Sequence, residues 1–442
     1  MNLKQALAFL CSCTLLCGAA VGCDDDTASS NGTDSAVSQT DTASKEDSTV
    51  DTNKTEVPQG DPDWVPADKS LGLKTLDTNY ATDEMIARAV LSEGNTARLA
   101  AVMKRAEAGE HITIATIGGS ITQGSSASSS QERYAQRVLE WWFTNIPAAQ
   151  LHFVNAGIGA TDSYIGVHRV DQDVIAQNAD VIVVEFSVND TNEMRNLKSY
   201  DSLVRKLLQS ERQPAVILLF TTQENGTSMQ ETHRKVGDAY DLPMISYKNA
   251  ILPEIDAGKF PWTDISPDNI HPNSKGHTII GEIMWAYFNS VYAKLDEIDT
   301  SDLSFATPAL TDDIYAEAKL LDSTNTEPTA MEGFAKDESG GFYQFPNSWS
   351  TQSGGELTFT VTGKNFGLMY LKTTDGKSGT YEVWMDGEKV STLNGDFTGG
   401  WGNYAESNEF FISEERAEHT ITIKPAEGSE GKKFSVLGLL VS

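Results

Sequence analysis

Ile112-Thr113-Ile114-Ala115-Thr116-Ile117-Gly118-Gly119-Ser120-Ile121-Thr122-Gln123-Gly124 is the stretch on which the reading of this chain turns. Its first half is rich in β-branched residues and ends at glycine, the pattern of a buried strand. Two glycines break the strand, a serine follows, and a polar turn leads into a helical pattern. A serine beside glycines at the carboxyl end of a strand is where an open α/β sheet presents reactive groups. The same residues also suit a turn or a helix N-cap, so the neighbouring segments must decide.

Outward from this stretch, strands and helices alternate. Helical spacing runs over residues 81–91 and 96–106, and then through Tyr134, Val138, Leu139 and Trp142. A strand at 152–155 leads into the loop Ala156-Gly157-Ile158-Gly159-Ala160-Thr161-Asp162-Ser163, and a helical pattern continues to about 177. Strands follow at 181–186, 215–220 and 244–247, with helical segments at 200–209, 229–240 and 276–292. This order predicts a mostly parallel sheet covered by helices on both faces, a three-layer α/β/α arrangement.

The period changes from 3.6 to 2 near Thr300. Leu357-Thr358-Phe359-Thr360-Val361, Tyr381-Glu382-Val383-Trp384, Thr420-Ile421-Thr422-Ile423 and residues 434–441 read as strands. Turn signals stand at Thr362-Gly363, Asp375-Gly376, Asp386-Gly387 and Asn394-Gly395. Residues 310–442 are therefore expected to form an all-β sandwich or jelly roll, separate from an α/β domain over 70–296.

The chain has 442 residues and a net charge of −30. No basic track exists for nucleic-acid phosphates, so a nucleic-acid partner is not expected. All four cysteines, Cys11, Cys13, Cys17 and Cys23, lie in the first 23 residues, which leaves the body without disulfides or a thiolate nucleophile. Lys4 followed by an apolar run reads as an export signal over 1–23. Its end, Ala20-Val21-Gly22-Cys23, resembles a bacterial lipoprotein signal cut before Cys23, which would then carry the lipid. Leucine is commoner at the place of Ala20, and cleavage near Gly22 as an ordinary secretory signal is the other reading. Either places the protein outside the cytoplasm, with a lipid anchor as its expected contact with the membrane. Residues 24–60 are Asp, Ser, Thr and Asn with few large apolar side chains, the composition of a disordered acidic linker.

Four loops carry chemistry-bearing residues in chain order: those after Ile117, Asn155 and Phe186, and a fourth containing Asp268-Asn269-Ile270-His271. Together they offer a nucleophile, anion-stabilising donors and an oriented base. Residues 70–296 thereby resemble the SGNH (GDSL-like) hydrolases, named for Ser, Gly, Asn and His in four blocks. The blocks here are Gly118-Gly119-Ser120, Asn155-Ala156-Gly157-Ile158-Gly159-Ala160, Ser187-Val188-Asn189-Asp190 and Asp268-x-x-His271. The resemblance implies a Ser120-His271-Asp268 triad, because a serine hydroxyl needs a base and the base an orienting carboxylate. It also implies an oxyanion hole from the N–H of Ser120, an N–H at Gly159 or Ala160, and the Asn189 amide. Three positions depart from the family. Gly119 replaces its usual aspartate, Ser187 replaces a glycine, and Ala160 stands where the second-block glycine aligns. Thr122 breaks a Gly-x-Ser-x-Gly elbow, which disfavours the ordinary α/β-hydrolase fold.

The activity this implies is an exported serine esterase removing O-acetyl groups from a polysaccharide, with Trp349, Trp401 or Tyr404 available to stack on sugar rings. A lipid-directed esterase or lysophospholipase would use the same triad. A glycan-binding surface protein with an inactive hydrolase domain is a third reading. No cofactor or metal site is expected, since Asp171 and Asp173 read as a solvated helix face.

Overall fold

The computed structural model describes residues 57–337 and 342–442. The signal expected over 1–23 with Cys23, and the expected linker apart from residues 57–60, lie outside them.

Six strands form the first sheet: β1 (Val90–Ser92), β2 (His111–Gly118), β3 (Gln150–Gly157), β4 (Val181–Glu185), β5 (Ala215–Phe220) and β6 (Met244–Ser246). Their order is β1-β6-β5-β4-β2-β3. All neighbours run parallel except β1, which pairs antiparallel with β6. The helix expected over 81–91 stops early for this reason. Thr82 caps α1 (Asp83–Ala89), and Val90 leaves the helix to pair with Ile245.

Alternate residues of each strand bury on opposite faces. Ile112, Ile114, Val181, Val183, Ile217 and Leu219 face one hydrophobic cluster with α2 (Ala97–Glu107), α4 (Tyr134–Asn145), α8 (Tyr247–Asp256) and α9 (Ser274–Ala293). The four-residue helix α3 (Ser120–Gln123) follows β2. Ala115, Ile117, Ile182, Val184, Val216 and Leu218 face a second cluster with α5 (Ser163–Asp173), α6 (Met194–Gln209) and α7 (Gln230–Tyr240). Each such side chain contributes about 1.5–3 kcal/mol on full burial, so both faces are needed to hold the sheet. Asp171 and Asp173 on α5 are not a free solvated face. They pair with Lys206 and Arg169 at 2.9 and 2.7 Å.

The chain steps from β2 to β3 on one side, then returns to lay β4 on the other side of β2. Ser120 stands just past the carboxyl end of β2, at this change of direction, where open α/β sheets form a crevice.

Nine strands make the second, wholly antiparallel sheet system: β7 (Lys319–Leu321), β8 (Ala330–Glu332), β9 (Ala335–Asp337), β10 (Ser348–Thr351), β11 (Glu356–Lys372), β12 (Thr380–Met385), β13 (Glu388–Asn394), β14 (Tyr404–Pro425) and β15 (Phe434–Val441). The fold is thus the expected α/β/α region followed by a β-sandwich. One turn signal is corrected. Thr362-Gly363 lies inside β11, where the register against β14 shifts between Gly363 and Asn365, so the dipeptide stands beside a break in register within a strand and not at a turn. Asp386-Gly387 is a genuine two-residue hairpin turn between β12 and β13, with φ of 52° and 88°.

The sandwich has its own core, which includes Trp349, Leu368, Tyr370 and Val436. Met369, Leu371, Leu437 and Leu440 point the other way and join the α5–α6 cluster of the first sheet, with Tyr164 and Val167. One hydrophobic cluster therefore runs continuously from the α/β region into the sandwich.

Candidate active site

The fourth loop builds its own geometry from short-range bonds. Asp268 Oδ1 accepts the N–H groups of Ile270 and His271, both at 2.7 Å, closing a turn. Its other oxygen, Oδ2, lies 2.8 Å from His271 Nδ1. Trp262 Nε1–H donates to the Asp268 carbonyl at 2.6 Å, and Ser266 Oγ sits 2.6 Å from the carbonyls of both Asp268 and His271. Two residues on, the Asn273 side chain caps α9. The three-residue spacing of Asp268 and His271 is thus one pinned turn leading into a buried helix.

His271 Nε2 lies 2.9 Å from Ser120 Oγ, across 151 residues of sequence. Partial burial works to raise the Asp268 carboxyl, but the bonds from His271 and Ile270 outweigh it and hold the group below its usual range. An ionised Asp268 keeps the imidazole proton on Nδ1. Nε2 is then left to accept the serine proton, and the arrangement is able to deprotonate Ser120.

Asn189, Gly159 and Ala160 line one cleft with the serine. Asn189 packs against Gly119, where a Cβ would fall 2.1 Å from Asn189 Oδ1. That oxygen is buried and unpartnered, so packing rather than hydrogen bonding locates the amide. The Gly159 N–H is already engaged, donating to Gln123 Oε1 at 2.7 Å. Ala160 has a φ of 59°, in the left-handed region that favours glycine, and it lines the cleft.

The cleft above Ser120 and His271 has a volume of about 530 Å³. One wall comes from the first sheet's loops and the other from the sandwich, through Phe342, Tyr343, Gln344, Trp401, Asn403 and Tyr404. Of the three aromatics singled out from sequence, Trp349 is fully buried in the sandwich core against Phe359 and cannot meet a ligand. Trp401 is 71% exposed and stacks on Tyr404 with ring centroids 5.1 Å apart. Tyr343, Gln344 and Gln123 were not singled out from sequence. Gln123 Nε2 donates to Tyr343 Oη at 3.2 Å, and Gln344 Nε2 donates to Gln123 Oε1 at 3.3 Å. Nothing local marks these residues, because their partners are some 220 positions apart in the chain.

The sequence model of the GDSL-like lipase/acylhydrolase family matches residues 116–279. Among solved structures, the chain is similar to two structures of a two-domain esterase (CEX) active on acetylated mannans, one of them co-crystallized with mannopentaose. Each of these matches at 31% identity with a TM-score of 0.73, covering 82% of this chain and 98% of that one. The chain belongs to the GDSL-like lipase/acylhydrolase family. None of the curated proteins compared with it matches.

As a member of this family the protein is a carboxylic ester hydrolase, and its departures from the family pattern have local causes. Gly119 stands in place of an aspartate where the Asn189 amide leaves no room for a Cβ. Ala160, where the family has a glycine, sits at a φ of 59°, in the left-handed region that favours glycine, at a cost of about 1–2 kcal/mol for a residue with a Cβ. Ser187, in place of a glycine, is fully buried and donates from Oγ to the Leu219 carbonyl at 3.3 Å, tying its loop to β5.

Proposed function

We propose that the protein is a serine esterase that removes O-acetyl groups from a mannan-type polysaccharide outside the cell. The observation that carries this is the unbroken line from Asp268 Oδ2 through His271 to Ser120 Oγ, at 2.8 and 2.9 Å, opening into a cleft walled by Trp401 and Tyr404. The substrate class is supported by the similar esterase, which is active on acetylated mannans.

Ser120 Oγ attacks the acetyl carbonyl while His271 Nε2 takes its proton. The oxyanion is received by the Ser120 N–H, the Ala160 N–H and the Asn189 amide. Ala160 is preferred over Gly159 because the Gly159 N–H is held by Gln123. The intermediate collapses, and His271 returns the proton to the departing sugar oxygen. Water activated by the same histidine then releases acetate from the acyl-serine. A lipid-directed reading is less well supported, because the segments 125–130 and 190–196 beside the site are rich in polar residues.

Export with a lipid on Cys23 is part of the proposal, on the sequence signal alone. Among the described residues no helix is long and apolar enough to cross a membrane. The test of the activity is acetate release from acetylated mannan, acetylated xylan and long-chain esters, by wild type and Ser120→Ala. Loss of release in Ser120→Ala and a preference for acetylated mannan are expected. Retained activity in Ser120→Ala would overturn the site, and a steep preference for long acyl chains would overturn the substrate.

A further inference from the structure

Glu185 is the last residue of β4 and the lone charged side chain in that strand, and it is fully buried. It pairs in register with Gly118 of β2, so it lies directly beside the strand end that carries Ser120. Its two oxygens are divided between different loops. Oε2 accepts from Thr122 Oγ1 at 3.3 Å, and Thr122 belongs to the short helix that begins with Ser120. Oε1 accepts from the Ser187 N–H at 3.1 Å, at the start of the turn that presents Asn189. Oε1 also accepts from Thr221 Oγ1 at 2.7 Å, just past the end of β5. Tyr134 Oη, fully buried on α4, completes the chain at 2.7 Å from Thr122 Oγ1.

We infer that Glu185 is a positioning residue that locks the nucleophile loop and the Asn189 loop at a fixed separation. This rests on the roles given above to Ser120 and Asn189. The reaction needs the serine oxygen and the amide donor on the same tetrahedral centre, so their spacing has to be fixed before substrate arrives. Neither loop can fix it alone. Asn189 makes its contact with Gly119 by packing, and the two loops leave separate strands. A single side chain bonded to both loops adds directional bonds to that packing and to the pairing of the two strands. Burial pushes the Glu185 carboxyl up to about 7 in spite of its three donors, so its bonds are a costly arrangement in a strand otherwise made of valine and isoleucine.

The test compares Glu185→Ala, Glu185→Gln and Thr122→Val in the full chain, with nitrophenyl acetate as substrate and the folded fraction measured by circular dichroism. Glu185→Ala is expected to lower kcat per folded molecule by about 10–100-fold, the scale of a small misplacement of reacting groups, with KM little changed. Glu185→Gln is expected to restore most of kcat. Its amide oxygen accepts from Ser187 and Thr221 and its NH₂ donates to Thr122, whose hydroxyl turns to Tyr134. Thr122→Val cuts the Glu185 link to the Ser120 helix, together with the Tyr134 bond, while leaving the Ser187 and Thr221 bonds in place, and is expected to lower kcat in the same direction. A Glu185→Ala enzyme with wild-type kcat per folded molecule overturns the inference, as does a Glu185→Gln enzyme no better than Glu185→Ala. Should either variant prove insoluble, Thr122→Val decides, since unchanged kcat there removes the bridge. An active Ser120→Ala enzyme sinks the site assignment instead, which keeps the two failures apart.

Discussion

Gly119 and Asn189 show how one missing side chain positions another. A methyl at Gly119 would fall well inside contact distance of the amide oxygen and carbon of Asn189, so the amide would have to move. Gly119→Ala is therefore expected to cost kcat on the order of a hundredfold, the loss of one oxyanion donor, in an enzyme that still folds. Steady-state kinetics with a melting curve checks this, and near-normal kcat would detach Asn189 from the reaction. Ala160 is the converse case. Ala160→Gly relieves a left-handed backbone but loosens the unfolded chain by about 0.4–1 kcal/mol, and it keeps the N–H. Its activity is expected to match wild type, with a melting temperature equal or slightly higher. Asp268 carries a pH signature. Its carboxyl titrates below the ordinary range in the folded state, so its stabilisation is present above the unfolded value. That stabilisation disappears as pH falls through the depressed folded value. Asp268→Asn should flatten this acid dependence and lower kcat on the order of 10³-fold or more, measured by acid unfolding and by initial rates.

At the scale of elements, β11 serves two cores at once. Phe366 and Leu368 face the sandwich interior, while Met369 and Leu371 face α5 and α6. An ordinary sandwich strand alternates apolar and polar residues with one face in water. The run Phe366-Gly367-Leu368-Met369-Tyr370-Leu371 does not, and every residue in it is buried. Met369→Ala and Leu368→Ala are accordingly expected to destabilise the protein by similar amounts, about 2–5 kcal/mol each. The midpoints of urea unfolding compare them directly. Near-neutral behaviour of Met369→Ala would mean that the outer face of the strand is wet. The register shift after Gly363 belongs to the same design. It lets one long strand pair with residues 417–423 before the shift and with residues 404–412 after it, so a single element spans both parts of the sandwich.

For the whole molecule, the continuous cluster and the composite cleft give the sandwich two tasks. It covers apolar residues of α5 and α6, and it supplies one wall above Ser120. Trp401 reaches that wall exposed and stacked on Tyr404, a platform suited to the apolar face of a sugar ring. Trp401→Ala is expected to raise KM for an acetylated oligosaccharide roughly three- to tenfold, the loss of about 1 kcal/mol of contact. Hydrolysis of nitrophenyl acetate, too small to span the cleft, should be unaffected. Equal effects on both substrates would place Trp401 in the support of the site rather than in substrate binding.

The sequence by itself determined the local parts. Largely apolar runs at 112–117, 181–186 and 215–220 imposed buried parallel strands, because only a doubly covered sheet satisfies apolar residues on both faces. The Asp268-x-x-His271 spacing puts a carboxylate and an imidazole in one turn, because bonds over three residues are local. The blocks carrying Ser120, Gly159-Ala160 and Asn189 were legible in order, with the choice between Gly159 and Ala160 open, and so was the change of period near Thr300. The contacts that span hundreds of residues were not legible. A tryptophan in a strand-rich segment reads the same whether it ends in the core, as Trp349 does, or in the cleft, as Trp401 does. Thr362-Gly363 reads as a turn until a partner strand is present to carry the strand through it. Only the docking of the sandwich on α5 and α6 placed Tyr343, Gln344 and Trp401 above Ser120. Docking depends on the summed burial of two surfaces, and no short stretch of sequence encodes that sum.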